Sequence, residues 1–176
     1  WDRLTGRTDL MLAVNISAVQ VREGGLIALI DRVTAETGFD PARLEIEFTE
    51  SGALRGSAAV DQLCAALKAR GCLLTIDDFG TGYSALSRLE RLPFDVIKID
   101  RSFVQGIGTG GRGGTLARAV VALGQSLGLR IVGEGVETAE QRDFLAAAGC
   151  HRAQGYLLGA PMAAAEMTDR LLAARP

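Results

Sequence analysis

The sequence predicts an α/β protein, an incomplete TIM-like (β/α) barrel with about six of eight β/α units. Three observations carry this. Short apolar runs alternate strictly with amphipathic segments, the pattern of a parallel sheet covered by helices. Six units in 176 residues come to about 29 residues each, close to the ~31 per unit of a ~250-residue barrel. Five successive strand segments also carry a polar residue near their C-terminal end, whereas parallel strands buried on both faces read as continuous apolar runs. Alternation and unit length alone also fit an open doubly wound sheet.

The elements follow in order. Leu10 to Ser17 reads as a strand. Leu26 to Thr37 is a helix with Leu26, Ile27, Ile30 and Val33 on one side, stopped by Gly38 and Pro41. Leu44 to Thr49 is the second strand. Val60, Leu63, Cys64 and Leu67 recur at helical spacing in a helix from Val60 to Arg70, closed by Gly71. Leu73 to Asp77 is the third strand, Ser84 to Arg91 a short helix ended before Pro93, and Val96 to Asp100 the fourth strand. Thr115 to Leu127 aligns Leu116, Val120, Leu123 and Leu127 on a helix followed by Gly128. Arg130 to Val136 is the fifth strand. Thr138 caps the next helix, with Gln141 completing a capping box and Gly149 ending it. Ala153 to Leu157 is the sixth strand and Met162 to Ala174 the last helix.

The polar strand residues are Asn15, Glu47, Asp77, Lys98 and Glu134. Side chains alternate across a strand. Glu47 therefore shares a face with Glu45 and Thr49, opposite Leu44, Ile46 and Phe48, and Lys98 shares a face with Asp100, opposite Ile97 and Ile99. The apolar sets can pack under helices while the polar sets face the barrel axis. Each residue taken singly could belong to a buried ion pair bridging strands. Five in register at the C-terminal mouth, where barrel active sites lie, point instead to a cation and phosphate site. Asp77 and Asp78 are adjacent, so both reach one site only where the strand is ending; Gly80 and Gly82 permit a sharp turn there. Paired carboxylates of this kind suit two divalent metals, which clamp the attacking and leaving oxygens of a phosphoryl displacement.

Composition bounds the partners. With 19 Lys+Arg against 21 Asp+Glu, the net charge is -2. No basic excess exists for a polymeric nucleic acid or an anionic membrane surface. No apolar run approaches the ~18 residues that would span a bilayer. Cys64, Cys72 and Cys150 form no C-x-x-C pair and are too few for a disulfide framework, so a reducing, cytoplasmic setting is expected. The glycine run from Gly106 to Gly114 lacks the lysine-serine end of a phosphate loop and reads as a flexible connection. His151, the only histidine, falls at a helix end where a structural role is expected. Arg112, Arg118 and Arg130 read as solvated surface charges.

The strings NIS (15–17), EFTE (47–50), DDFGTGYSAL (77–86), KIDRSF (98–103), EGVET (134–138) and QGYLLGAP (154–161) occur in this order. Together they resemble the EAL domain family, bacterial phosphodiesterases that hydrolyse cyclic di-GMP. The resemblance runs from about Leu12 to Pro161. It implies a TIM-like barrel in which Asn15, Glu47, Asp77 and Asp78 bind two Mg2+ or Mn2+ ions. Lys98 matches the lysine that orients or polarises the catalytic water, and Glu134 an acid proposed as general base. Glu137 matches a further site position on the metal-water side. Gln154 and Asp100 match the substrate side. Glu50 matches the acid that holds the loop of Phe79, Gly80, Thr81, Gly82 and Tyr83, which in the family links the site to a homodimer interface. Phe79 and Tyr83 are expected to brace that loop. The implied reaction is water attack on one phosphodiester, opening the ring to linear pGpG.

The sequence departs from the family pattern in lacking the Glu-Ala-Leu strand itself, whose glutamate is a metal ligand. Residues 1–176 are therefore expected to be a partial EAL domain, the C-terminal three quarters of the barrel, cut at Trp1 and weakly active or inactive alone. Its first and last strands would be exposed. Gly133 stands where the family commonly has alanine, and Ala85 where serine is usual. The parent could carry sensory or GGDEF domains and a membrane anchor in other segments. A non-catalytic cyclic-di-GMP-binding module is the rival reading, and a barrel enzyme acting on enolates is a third. A Glu-Ala-Leu encoded roughly 50 to 70 residues before Trp1, two barrel units upstream, would support the enzyme.

Overall fold

The computed structural model describes residues 1–54, 58–81 and 86–173. Its six strands are β1 (Leu12–Ile16), β2 (Leu44–Thr49), β3 (Leu73–Phe79), β4 (Val96–Ile99), β5 (Arg130–Gly133) and β6 (Arg152–Ala153). They form one sheet in the order β1-β2-β3-β4-β5-β6, every neighbouring pair parallel. The helices are α1 (Asp2–Thr5), α2 (Ala18–Glu23), α3 (Leu26–Thr37), α4 (Glu50–Leu54), α5 (Ala58–Lys68), α6 (Leu86–Arg91), α7 (Arg101–Gln105), α8 (Gly113–Ser126), α9 (Ala139–Ala148) and α10 (Ala164–Ala173). The short α1, α2, α4 and α7 were not expected from periodicity; one or two turns carry too few residues to show a 3.6 repeat.

Strand alternation sorts the core from the site. Ile46, Phe48, Leu74, Ile76, Ile97, Ile99 and Ile131 point outward and pack with Val60, Cys64 and Leu67 of α5, Ala117 and Val121 of α8, and Leu145 of α9. The rings of Phe48 and Phe94 meet edge to face at 5.9 Å. The opposite face carries Glu45, Glu47, Thr75, Lys98 and Glu134. Among these, Glu45, Glu47, Thr75 and Lys98 are buried.

The sheet is curled, which decides between barrel and open sheet. In a flat sheet, β2 and β6 would lie roughly 19 Å apart, four strand spacings. Arg152 Nη1 of β6 instead stands 3.5 Å from Glu45 Oε2 of β2, and the Thr75 hydroxyl donates to Glu45 Oε1 at 2.6 Å. The inner face thus closes on itself as an incomplete TIM-like barrel. β1 and β6 are its edges, each paired on one side only, and Leu12 and Val14 of β1 are exposed.

The capping box of α9 is present: Gln141 N donates to Thr138 Oγ1 at 3.2 Å, and Gln141 Oε1 accepts from Thr138 N at 3.1 Å. His151 is structural, its Nδ1 accepting from Ile131 N at 3.0 Å. Several strand ends need correction. The fifth strand stops at Gly133 and does not reach Val136. The sixth strand does not run from Ala153 to Leu157; it is Arg152–Ala153. At Gly155 the chain turns, with Leu158 N and Gly159 N both donating to Gly155 O at 3.0 Å, so an apolar run that reads as strand is an exposed turn. Nor does β3 end at Asp77; it runs on to Phe79.

Candidate functional site

The site is built on the C-terminal ends of β2 to β5. Register sets Asn15 opposite Glu47 and Thr49 opposite Asp77. Glu47, Asp77 and Glu134 converge on Lys98, whose Nζ lies 3.0 Å from Glu47 Oε1, 3.2 Å from Asp77 Oδ1 and 2.6 Å from Glu134 Oε1. Lys98 is 4% exposed. Straightforward inward alternation on β2, β4 and β5 explains Glu47, Lys98 and Glu134.

Asp77 and Asp78 require a different device. β3 continues through Phe79, and its register against β4 shifts between Ile76 and Phe79. This irregularity holds Asp78 at φ 55, the only positive φ of a non-glycine among the described residues. A bulge re-aims side chains, so Asp78 faces the same side as Asp77 while the strand is still running. Asp77, Asp78 and Glu134 each place a carboxylate oxygen within 4.8 Å of the others. The glycine turn expected from the sequence is therefore not what brings the pair together.

The bulge is held from outside the cluster. Buried Glu50 accepts from Gly80 N at 2.8 Å, 30 residues away in sequence. Thr81 Oγ1 donates to Asp78 O at 2.9 Å, and Phe79 is buried beneath. Glu50, Phe79, Gly80 and Thr81 thus lie together at the end of β3. Gly82, Tyr83 and Ala85 lie outside the described residues.

Asp100 is the N-cap of α7, its Oδ1 accepting from Ser102 N at 2.9 Å. Glu137, on the loop after β5, pairs with Arg101 Nη2 at 2.6 Å. Gln154, Glu137, Arg101, Gly135 and Tyr156 line a cleft of about 420 Å³ at this mouth. Asn15 is at the exposed rim of the inner face. The structure therefore gathers Glu47, Asp77, Asp78, Lys98 and Glu134 into one cluster, with Asp100, Glu137 and Gln154 around it. Arg101 was missed by sequence reasoning. Its signal was a lone charge directly after KID, which periodicity does not distinguish from a surface residue.

The cluster carries more negative charge than its cation balances: four carboxylates, Glu47, Asp77, Asp78 and Glu134, share one ammonium. Burial, reinforced by the charge of Asp77, pushes the Glu134 carboxyl up to about 7, against the opposing pull of Lys98. Burial likewise raises Glu47 despite Lys98. Asp78 is raised by burial and by the neighbouring Asp77 and Asp100. Burial would lower Lys98, but Glu134, Asp77 and Glu47 outweigh it and raise it. Such a donor set, all hard oxygens short of positive charge, fits divalent cations of the Mg2+ or Mn2+ type.

Fold and site together define a parallel (β/α) half-barrel with an acid-rich mouth around one buried lysine. The family model described as EAL domain matches residues 1–161, and the chain belongs to the EAL domain family. It is 42% identical over 162 residues to the bifunctional diguanylate cyclase/cyclic di-GMP phosphodiesterase MucR of Pseudomonas aeruginosa, covering 92% of this chain and 24% of that protein. A solved structure of the PaMucR phosphodiesterase in complex with c-di-GMP superposes with a TM-score of 0.88 at 42% identity, over 92% of this chain and 66% of that one. A manganese/cy-diGMP complex of Klebsiella pneumoniae BlrP1 superposes at 0.79 with 30% identity, over 89% of this chain and 40% of that one. The chain thus spans about a quarter of the length of MucR. Among the described residues, no helix is long and apolar enough to cross a membrane.

Proposed function

We propose that residues 1–176 form most of an EAL domain that hydrolyses cyclic di-GMP to linear pGpG in a longer signalling protein. The observation that carries this reading is the convergence of Glu47, Asp77 and Glu134 on Lys98 at the mouth of an EAL-family barrel. Asn15, Glu47, Asp77 and Asp78 would hold two divalent cations, Mg2+ or Mn2+. When bound, these offset the charge of the phosphate oxygens and lower the pKa of the attacking water.

The chain's own groups do the rest. Lys98 Nζ, held by three carboxylates, presents a fixed positive charge to the attacking water and the scissile phosphate. Glu134 Oε1 accepts the proton of that water. Glu137 holds its place beside Glu134 through Arg101. Gln154 and Asp100 flank the cluster where the rest of the nucleotide would lie. The hydrogen bond from Gly80 to Glu50 ties the acid pair to the loop that would couple the site to a homodimer partner. Cyclic di-GMP as substrate implies a cytoplasmic site of action, with sensory or GGDEF domains elsewhere in the protein.

The test is turnover of cyclic di-GMP by the full-length protein with Mg2+ or Mn2+, resolved by chromatography. Conversion to pGpG that is lost on Glu47→Ala is expected. Unchanged turnover in that variant would sink the site assignment. Tight binding without turnover in the unmodified protein would instead favour a non-catalytic cyclic-di-GMP-binding module.

A further inference from the structure

Helix α7 begins at Arg101, two residues after Ile99 ends the strand that carries Lys98, and two of its side chains contact different loops. The ring of Phe103 lies against Gly80, on the loop that leaves β3 after Asp77 and Asp78. A Cβ on Gly80 would stand 2.4 Å from Phe103 Cε2, and Gly80 has φ +101. Only a glycine admits both the conformation and the approach. The stem of Arg101 lies across Gly135, on the loop that leaves β5 between Glu134 and Glu137. A Cβ there would stand 2.2 Å from Arg101 Cγ, and Gly135 has φ +66. Beyond the stem, the Arg101 guanidinium grips Glu137 at 2.6 Å. The Gln105 amide, turned so that its oxygen faces the guanidinium, accepts from Arg101 Nε and Nη2 at 2.6 and 2.8 Å.

Both acid-bearing loops thus abut one helical turn that follows the lysine strand, and each does so through a glycine. We propose that Phe103 and Arg101 are positioning residues, a two-sided clamp that sets the spacing of the Asp77–Asp78 pair relative to Glu134 and Glu137. Only the consequence for metal affinity rests on reading those acids as a metal site. Asp78 sits at φ 55, a region side-chain-bearing residues seldom occupy and aspartate tolerates better than most, so its neighbours decide whether it stays there. Glu50 holds Gly80 through its N–H and Phe103 contacts the same residue through its ring, so the bulge is set by both. Arg101 does the equivalent for the β5 loop through packing and charge together.

The test uses the full-length protein with Phe103→Leu, Arg101→Gln and Arg101→Lys. Free Mn2+ is titrated by electron paramagnetic resonance, and backbone amide exchange is read by mass spectrometry. Residues that orient metal ligands from outside typically change metal affinity ~10–100-fold when replaced. Phe103→Leu and Arg101→Gln should each weaken Mn2+ binding about tenfold at that lower limit, with Arg101→Lys recovering part of the loss. Phe103→Leu should speed exchange across 77–81 and leave 134–138 unchanged; Arg101→Gln should do the reverse. Exchange unchanged in both segments, or loosening spread across the whole barrel, overturns the clamp. Loosened loops with unchanged Mn2+ affinity overturn it as well when the unmodified protein binds Mn2+. If the unmodified protein binds no Mn2+ while each variant loosens only its own loop, the metal reading fails and the clamp stands.

Discussion

Lys98 Nζ and Glu134 Oε1 meet at 2.6 Å across the β4–β5 boundary. They are the closest pair in a cluster where one ammonium serves three carboxylates, and both are largely shielded from solvent. An ion cluster of this kind stabilises little while intact but is costly to break, because the partners left behind are buried and unpaired.

Replacing Lys98 by methionine should therefore destabilise the metal-free protein by about 3–5 kcal/mol, the usual cost of removing one partner of a buried pair. Urea unfolding followed by circular dichroism reads this. Mn2+ should restore part of the loss, since a ligand that binds only the folded state stabilises it by mass action. A variant as stable as the original without metal would contradict the charge balance drawn for the cluster.

The pH dependence of stability follows from Glu134. Its carboxyl ordinarily titrates near 4.5 and is pushed up to about 7 in the fold, mainly by burial. The folded state then binds the proton more tightly than the unfolded chain. That contribution is fully present below 4.5 and is lost as pH rises through about 7. Glu47 and Asp78, also raised, act in the same direction. Without metal, stability should fall across this window, and Glu134→Gln should flatten the fall. Parallel pH profiles for the two proteins would contradict the raised value.

Thr75 and Glu45 lie below the cluster. The Thr75 hydroxyl donates to the buried Glu45 carboxylate at 2.6 Å. Thr75→Val keeps the shape and removes the donor, so it should cost about 1–3 kcal/mol, the desolvation of an unsatisfied group. Chemical denaturation measures it, and a Thr75→Val variant as stable as the original would count against the pairing.

Burial pushes the thiols of Cys64 and Cys150 up to about 11. The thiolate is the reactive form, so neither should react appreciably with iodoacetamide at neutral pH under native conditions. Mass spectrometry before and after addition of urea reads this, with prompt labelling of either cysteine in the native protein as the contrary result.

Much of the site was legible in the sequence because strand alternation is a local property. The period of two separates Glu45 and Glu47 from Ile46 and Phe48, and Lys98 from Ile97 and Ile99, whatever the neighbours do. The same locality made the Thr138–Gln141 box readable, since both partners lie within one turn. The ordered motifs pointed to the family for a related reason: they are the strand ends themselves.

Tertiary structure alone decided the rest. That Asp78 joins Asp77 depends on a bulge whose φ is held by Glu50, 30 residues from Gly80, and no local pattern encodes a hydrogen bond at that distance. The curl of the sheet, visible where Arg152 meets Glu45 across the inner face, comes from how six strands pack together and not from any one of them. The apolar run after Gln154 turns away because Gly155 accepts two backbone hydrogen bonds, although its composition suits a strand. Phe103 and Arg101 look like a core aromatic and a surface charge in the sequence. They become neighbours of the acid loops only when β3, β4 and β5 lie side by side. The sequence by itself determined which side chains face inward; long-range contact determined how far apart the acids among them stand.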